Sequence, residues 1–210
     1  MSLVDFLTQD NYLRTPEIIK AFKRIKREDF VLPQSKKEAE VNAALSIGHN
    51  QTISQPATVA FMLELLEPRT DDKILDVGSG SGWTTALLAE IVGENGKVFG
   101  IERIAELRDF GESNVAKYNF IKRGRVKIFL GDGYKGLFKA APFDKILVSA
   151  AAEEVPVELL SQLKEGGRMV IPIGEQYENQ DIVFFKKINN KEFSEKYFPG
   201  FIFVPMIKGR

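Results

Sequence analysis

Residues 73–82 read Lys-Ile-Leu-Asp-Val-Gly-Ser-Gly-Ser-Gly, an apolar run that leads directly into a glycine-rich turn. A stretch with helical character, TTALLAEI, follows at residues 84–91. The order predicts a β-strand, a tight turn and a helix, and it lets a ligand approach bare backbone at the helix N-terminus. This segment therefore indicates an α/β fold with a ligand site at the end of a strand.

The alternation continues on the C-terminal side of this segment. Strand-like runs that alternate with helical stretches lie at residues 73–77, 98–101, 126–130, 145–148 and 169–173. Such alternation predicts parallel strands joined by right-handed crossovers. Two further runs, 182–188 and 201–207, have no helix-length segment between them and should pair antiparallel. We expect a doubly wound, mostly parallel, Rossmann-like seven-stranded sheet with a C-terminal antiparallel hairpin.

The N-terminal part of the chain is expected to be helical. Residues 11–30 have helical periodicity, with Thr15 as N-cap and Pro16 in the first turn. A second helix is predicted at residues 57–66, introduced by Ser54 and Pro56. With no repeat or linker to divide the chain, we predict one domain, residues 1–210, made of a helical extension (1–46) and a core (47–210).

Composition narrows the possible chemistry. Lys plus Arg equals Asp plus Glu at 29 each, so no global positive charge favours nucleic acid. With no Cys and one His, His49, a thiolate metal site is excluded, and a catalytic triad or a histidine metal site is disfavoured. No apolar run reaches about 18 residues and no signal sequence begins the chain. We expect a cytoplasmic protein with no metal, nucleic-acid or membrane partner.

Three acidic residues follow consecutive predicted strands or end them. Asp76 precedes the glycines, Glu102 lies 20 residues past Gly82, and Asp132 lies between two glycines. Glu102 is placed to accept hydrogen bonds from ribose hydroxyls, and Asp132 to accept one from an adenine amino group. Asp76 either orients the loop or meets an amino group. The competing interpretation is that the glycines only make a turn and that Glu102 and Asp132 are solvated.

These acids favour a cationic sulfonium ligand over a diphosphate, which they would repel. The dinucleotide fingerprint G-x-G-x-x-G would also need a third glycine at position 83, where this chain has Trp83. We expect Trp83 to pack within the helix rather than to stack on a ligand. The residues therefore favour an S-adenosylmethionine site over an NAD site.

Several motifs resemble the protein-L-isoaspartate O-methyltransferases. They are IGHNQTISQPATVAFMLELL (47–66), the glycine turn with its flanking strands, GDGYKG (131–136), APFDKILVSAAAEEVP (141–156) and LKEGGRMVIPIG (163–174). The C-terminal residues 203–209, FVPMIKG, look like the microbial branch of that family. QTISQP and AAAEEVP are the most specific of these motifs. The resemblance covers nearly the whole chain.

The resemblance implies that S-adenosylmethionine is the cofactor and S-adenosylhomocysteine its product. It also implies methyl transfer to the free carboxylate of L-isoaspartyl residues in damaged proteins, which initiates their repair, with Ser54 as the active-site serine. An ionised carboxylate needs no general base, so Ser54 would position it. Ser54 can equally be a helix N-cap. The implied cofactor contacts, with the loop residues, are Gln51, Thr52, Ile53, Ser54, Asp76, Gly78, Ser79, Gly80, Ser81, Gly82, Glu102, Arg103, Asp132 and Gly133.

Other functions remain open from the sequence. Residues 39–42 lack a Tyr that many family members have there, and Val59 stands where some have His, so the acceptor could instead be RNA, a small acid or a modified peptide. An NAD-dependent oxidoreductase and a non-catalytic cofactor-binding module also remain open. His49 either touches substrate or lies on the surface. We expect a monomer or a weak homo-oligomer.

Overall fold

The computed structural model describes residues 1–176 and 178–209. Its α-helices are α1 (Leu3–Gln9), α2 (Pro16–Arg24), α3 (Pro56–Leu66), α4 (Trp83–Val92), α5 (Ala105–Ala116) and α6 (Val157–Ser161). Its strands are β1 (Leu45–Gly48), β2 (Gln51–Ile53), β3 (Lys73–Val77), β4 (Lys97–Glu102), β5 (Val126–Leu130), β6 (Phe143–Val148), β7 (Leu163–Ile173), β8 (Gln180–Lys187) and β9 (Phe193–Phe201). None of the helices described is both long and apolar enough to span a bilayer.

The central sheet has seven strands in the order β5-β4-β3-β6-β7-β8-β9. Strands β3 to β7 run parallel, and β8 and β9 add to the β7 edge in antiparallel register. The chain runs from β3 outward to β5 and then returns to β6 on the other side of β3. The predicted doubly wound, mostly parallel sheet is confirmed.

Strand β3 shows why consecutive apolar residues in the sequence indicated a sheet that is covered on both faces. Ile74 and Leu75 are both fully buried but belong to two hydrophobic clusters, because successive side chains of a strand point to opposite faces. Burying each such side chain stabilises the fold by about 1.5–3 kcal/mol. One cluster includes α1 to α5, while α6 contributes Leu159 to the other.

The N-terminal segment differs in detail from the predicted helix at residues 11–30. That region contains α2 and then a short 3-10 turn, Arg27–Phe30, and a further helix, α1, precedes it. Thr15 does not cap α2 with its side chain, because its hydroxyl donates to Glu64 Oε2 at 2.7 Å. Ser2, in contrast, forms a capping box with Asp5. The N-terminal helices pack into the same cluster as α3 and α4.

The predicted C-terminal antiparallel hairpin is present, but its second strand lies earlier in the chain than predicted. It is formed by β8 with β9, and residues 202–209 continue beyond it instead of forming the strand predicted at 201–207. Strand β9 was missed because it is an edge strand, exposed at most positions, and so it has no apolar alternation. The following tail crosses the carboxyl edge of the sheet, where Ala151 donates to the Val204 carbonyl oxygen and Met206 donates to that of Ala151.

Candidate active site

A pocket opens where the sheet changes winding direction, at the carboxyl ends of β3 and β6. The backbone amide of Ser149, just after β6, donates to the carbonyl oxygen of Val77, the last residue of β3, at 2.9 Å. The glycine-rich turn begins at the next residue, Gly78. In open α/β sheets this switch point is where ligands bind. The space between the walls of the pocket, including solvent at its open mouth, is about 880 Å³.

The glycine-rich turn forms the floor of the pocket. Gly78, Gly80 and Gly82 all have positive φ, between 49° and 85°, which glycine adopts without strain. Gly82 also lies against α5, since a Cβ there would come within 2.8 Å of the Gly111 carbonyl oxygen. The glycines thus allow a conformation and a close approach that a side chain would prevent.

Backbone amides of this turn are already used by the protein. Gly78 and Ser79 both donate to the Ile101 carbonyl oxygen, at 2.9 and 3.1 Å, and Gly80 donates to Glu102 Oε2 at 3.0 Å. Gly82 donates to the Ser79 carbonyl oxygen at 2.8 Å. A diphosphate site needs such amides free to face the ligand. Four amides of the turn are therefore used within the protein, which makes the turn less suited to a phosphate group.

Glu102 is the carboxylate on the pocket wall. It ends β4, is 6% exposed, and its Oε1 accepts from the backbone amides of Arg103 and Ile104 at 2.7 and 2.9 Å. Each carboxylate oxygen has further lone pairs, so Glu102 can still accept hydrogen bonds from a diol. Three amide donors, counting that of Gly80, hold it in one orientation.

Asp76 lies beneath the turn and does not line the pocket. Its Oδ2 accepts from the hydroxyls of Thr84 and Thr85, at 2.8 and 2.6 Å, in the first turn of α4. Burial raises the pKa of Asp76 to about 6, the two threonine hydrogen bonds oppose this shift, and the charge of Glu102 adds to it. These contacts tie Asp76 Oδ2 to the start of α4, while its buried Oδ1 has no partner among the described residues. Both roles predicted from the sequence, orienting the loop and meeting an amino group, therefore stay predictions.

Asp132 also lies outside the pocket lining, although the next residue, Gly133, is part of it. The Oδ1 atom of Asp132 accepts from the Tyr134 amide at 3.0 Å, and its Oδ2 accepts from the Gly209 amide at 3.1 Å. Gly133 must remain without a side chain, because a Cβ would lie 2.7 Å from Val77 Cγ1. The carboxylate thus anchors the C-terminal tail, and its contact with adenine stays a prediction.

Ser54 lies on the opposite wall, between β2 and α3. Its hydroxyl makes no hydrogen bond to any residue that the structure describes, and the residue is part of the pocket lining. The N-cap interpretation is wrong, because Gln55, not Ser54, is the N-cap residue of α3. The backbone amide of Ala57, in the first turn of that helix, donates to Asn42 Oδ1 at 3.0 Å. The Ser54 hydroxyl is therefore available to a ligand.

Most of the predicted site residues come together in this pocket. Asp76, Gly82 and Asp132 are the predicted ones that do not line it. His49 is exposed in the turn between β1 and β2 and does not line it either. The predicted site residues that do line the pocket are Gln51, Thr52, Ile53, Ser54, Gly78, Ser79, Gly80, Ser81, Glu102, Arg103 and Gly133.

Further lining residues were missed by the sequence reasoning. Trp83 packs edge-on against Phe22, with ring centroids 5.6 Å apart, as expected for helix packing, but it also lines the pocket. Ser149 and Ala150 could have been found, because they follow a predicted strand at the same edge. Val77 and Ile101, which end predicted strands, could have been found in the same way, and Val59 was noted in the sequence only as a departure from the family. No local signal marked the remainder, which are Ile47, Thr84, Ile104, Leu107 and Val204 to Ile207.

Solved structures resemble this fold closely. A Plasmodium falciparum structure assigned as a protein-L-isoaspartate O-methyltransferase, in complex with S-adenosyl-L-homocysteine, superposes with a TM-score of 0.88. It is 26% identical, and the match covers 99% of this chain and 97% of that one.

Relatives with known names are closer in sequence. A Methanopyrus kandleri protein-L-isoaspartate O-methyltransferase is 42% identical over 205 residues, which are 98% of this chain and 89% of that protein. One from Aeropyrum pernix is 40% identical over 207 residues, 99% of this chain and 78% of that protein. The profile of the protein-L-isoaspartate(D-aspartate) O-methyltransferase family matches residues 1–210. The chain therefore belongs to the protein-L-isoaspartate(D-aspartate) O-methyltransferase family.

Proposed function

We propose that this chain transfers a methyl group from S-adenosylmethionine to the free carboxylate of L-isoaspartyl residues in damaged proteins. Family membership and relatives at about 40% identity over nearly the whole chain support this activity. The observation that carries the site assignment is Ser54, whose hydroxyl has no hydrogen-bond partner in the described part of the chain and lines the same pocket as Glu102 and the glycine turn. One pocket thus offers a cofactor wall and an acceptor wall.

The pocket's chemistry suits this cofactor. Glu102 can accept hydrogen bonds from a ribose diol, Ile104 and Leu107 offer an apolar surface, and four of the turn's amides are engaged within the protein. Bound there, S-adenosylmethionine supplies an electrophilic methyl group on a sulfonium sulfur. The negative charge of Glu102 is favourable for a cationic ligand. We propose that Gln51 to Ser54, Gly78 to Ser81, Glu102, Arg103 and Gly133 contact it, with Asp76, Gly82 and Asp132, which do not line the pocket, supporting those contacts.

The acceptor side needs orientation rather than proton removal. A carboxylate with a pKa near 4 is already ionised at neutral pH, so its oxygen can attack the methyl carbon without a general base. We propose that Ser54 Oγ donates a hydrogen bond to the second carboxylate oxygen and holds the first one in line with the methyl group. The gain comes from positioning, which is worth several orders of magnitude in rate when reacting atoms are held together.

The test uses two synthetic peptides of one sequence, which differ only in L-isoaspartate or L-aspartate at a single position. Each is incubated with the protein and methyl-labelled S-adenosylmethionine, and base-labile methyl ester is counted. Label on the isoaspartyl peptide alone supports the proposal. Label on neither peptide, with S-adenosylhomocysteine still bound, would move the function to another acceptor, such as RNA or a small molecule.

For partners and location, we propose that the chain acts in the cytoplasm on protein substrates, as a monomer or weak homo-oligomer. The balance of 29 basic and 29 acidic residues supports the absence of a nucleic-acid or membrane partner. Light scattering at several concentrations tests the oligomeric state. A concentration-independent tetramer would contradict it.

A further inference from the structure

Arg27 is a buried cation bound to four backbone carbonyl oxygens. It is 2% exposed, and its Nη1 donates to the carbonyls of Ala39 and Val41, both at 3.1 Å. Its Nη2 donates to Ala43 at 2.7 Å and to Ser54 at 3.1 Å. One guanidinium therefore ties the loop at residues 39–43 to the residue proposed to orient the acceptor.

The loop in turn holds the start of α3. Asn42 lies within it, its Oδ1 accepts from the Ala57 amide at 3.0 Å, and its carbonyl oxygen accepts from Gln55 Nε2 at 3.2 Å. Ser54 is thus bonded directly through its carbonyl, and Gln55 and Ala57, just beyond it, are linked to the same loop. The Ser54 hydroxyl itself takes no part in these bonds and remains in the pocket.

Arg27 also contacts the cofactor side of the site. Its guanidinium carbon lies 5.3 Å from the ring centroid of Trp83, within the range of a cation–π interaction. Trp83 is the first residue of α4, directly follows the glycine turn, and lines the pocket. The same side chain therefore touches both walls of the site.

The charge of Arg27 makes a purely structural role costly. Burial lowers its pKa to about 10, which Glu40 partly opposes, so the side chain stays charged at neutral pH. Among the described residues no carboxylate lies within ion-pair distance of it. A buried charge stabilises a fold less than an apolar side chain of similar volume does. Its planar guanidinium, however, presents five donors in a fixed fork geometry, whereas the ammonium of Lys has three donors on a freely rotating group.

We infer that Arg27 is a positioning residue that holds Ser54 in register with the cofactor wall for methyl transfer. The inference rests on the proposed function, because it takes the Ser54 wall as the acceptor side. Arg27 acts through Ser54 and Trp83 and does not line the pocket itself.

The chain offers a matched control in Arg125. It is 6% exposed, its guanidinium carbon lies 5.0 Å from the Phe120 ring centroid, and its Nη1 donates to the Ala89 carbonyl oxygen at 3.0 Å. Like Arg27, it has a buried Nε without a partner among the described residues. It does not line the pocket, so its loss affects the fold alone.

The experiment compares Arg27→Gln, Arg27→Lys and Arg125→Gln in the full-length protein. It measures kcat and KM for the isoaspartyl peptide, S-adenosylhomocysteine affinity by calorimetry, and emission from Trp83, the single tryptophan. We expect Arg27→Gln to lower kcat/KM by about 100-fold, with cofactor affinity within about threefold, as misplacement by about 1 Å would cause. Arg27→Lys should lose about tenfold, because it keeps the charge and loses the fork. Trp83 emission should shift in both Arg27 variants.

Arg125→Gln should melt earlier but keep kcat/KM within about twofold and leave Trp83 emission unchanged. A folded Arg27→Gln with wild-type kcat/KM overturns the inference, as does an equal loss in Arg125→Gln. If Arg27→Gln does not fold, Arg27→Lys decides on the same readouts. A wild-type protein inactive on the isoaspartyl peptide would instead overturn the proposed function, which separates the two failures.

Discussion

Single side chains in this site divide into those held by the protein and those left free for a ligand. Glu102 is oriented by three backbone amides, and Asp76 accepts from two threonine hydroxyls through Oδ2 while its buried Oδ1 has no partner among the described residues. Ser54 Oγ, in contrast, has no partner among the described residues. A carboxylate already bonded on several sides can be replaced only at a cost to the fold, while a free hydroxyl affects function alone.

Replacing Ser54 with Ala should therefore separate catalysis from stability. We expect Ser54→Ala to lower kcat on the isoaspartyl peptide by about 10–100-fold, because one donor to the carboxylate is lost. The free energy of unfolding should change by less than about 0.5 kcal/mol, and S-adenosylhomocysteine affinity by little. Kinetics, denaturant unfolding and calorimetry measure these quantities. Thr58→Ala, one turn further along α3 and outside the pocket lining, is the hydroxyl control. A fully active Ser54→Ala would remove the assignment.

Asp76 should make stability depend on pH. Its pKa is raised from 3.8 to about 6 on folding, so the folded state binds more protons than the unfolded state between these values. The stability from this group is present at low pH and decreases as pH rises from about 4 through about 6. Asp76→Asn keeps an acceptor for Thr84 and Thr85 and removes the titration.

The unfolding free energies of wild type and Asp76→Asn should thus diverge with pH. Relative to wild type, Asp76→Asn should gain on the order of 2 kcal/mol between about pH 4 and pH 7.5, from a shift of about two pKa units. Urea unfolding at both pH values measures this. Parallel changes in the two proteins would show that Asp76 does not titrate in this range.

At the level of secondary-structure elements, the contact between α5 and the glycine-rich turn before α4 fixes the shape of that turn. Gly111, inside α5, lies so close to the turn that a Cβ there would come within 2.6 Å of the Gly80 carbonyl oxygen. Asn114 on the same helix donates to the Ser81 carbonyl oxygen at 3.1 Å. Helix α5 thus packs directly against the turn and braces it in position.

Gly111→Ala should accordingly destabilise the protein although it improves helix propensity. In an ordinary helix interior the change gains up to about 1 kcal/mol, whereas here overpacking against backbone should cost about 1–3 kcal/mol and weaken S-adenosylhomocysteine binding. Ser113→Ala, exposed on the same helix, should be neutral or slightly stabilising. Thermal melts and calorimetry compare them. A Gly111→Ala protein as stable as Ser113→Ala would contradict the bracing role.

Elements that are buried on both faces were predictable, and edge elements were not. Strand β3 is mostly apolar, with Asp76 the buried exception, because both faces of the sheet are covered, so its sequence alone identified it. Strand β9 is exposed at most positions, so no apolar pattern marked it, and the apolar run FIFV beyond it was mistaken for the strand. Helix α1 was missed because its seven residues are too few to show a helical pattern, although its Leu3 and Leu7 are buried in the main hydrophobic cluster.

Across the whole molecule, the site collects segments from the entire chain. Strand-end residues such as Glu102 were predictable, because parallel strands bring their carboxyl ends to one edge. The tail from Val204 to Ile207 and the side of Trp83 facing the pocket were not predictable, since both depend on how distant segments pack. The role of Arg27 was likewise hidden, because its partners are backbone carbonyls, which sequence does not distinguish.

The assembled pocket should distinguish two adenosine cofactors by stabilisation. S-adenosylhomocysteine at about 100 times its Kd should stabilise the fold by about 2.7 kcal/mol, or a Tm rise of about 5–10 °C. NAD should give no shift, because four amides of the turn, those of Gly78, Ser79, Gly80 and Gly82, are used within the protein and cannot bind its diphosphate. A thermal melt with each ligand makes the comparison. A shift with NAD equal to that with S-adenosylhomocysteine would contradict the cofactor assignment.

The central claim is that this pocket selects the isoaspartyl carboxylate, and internal competition tests it most directly. Equal amounts of the isoaspartyl and aspartyl peptides, distinguished by one isotope-labelled residue, compete for the protein and S-adenosylmethionine in one reaction, followed by mass spectrometry. The account predicts that only the isoaspartyl peptide gains a methyl group, at a kcat/KM at least about 100-fold above that of its isomer. Methylation of both peptides at similar rates, or of neither, would contradict it.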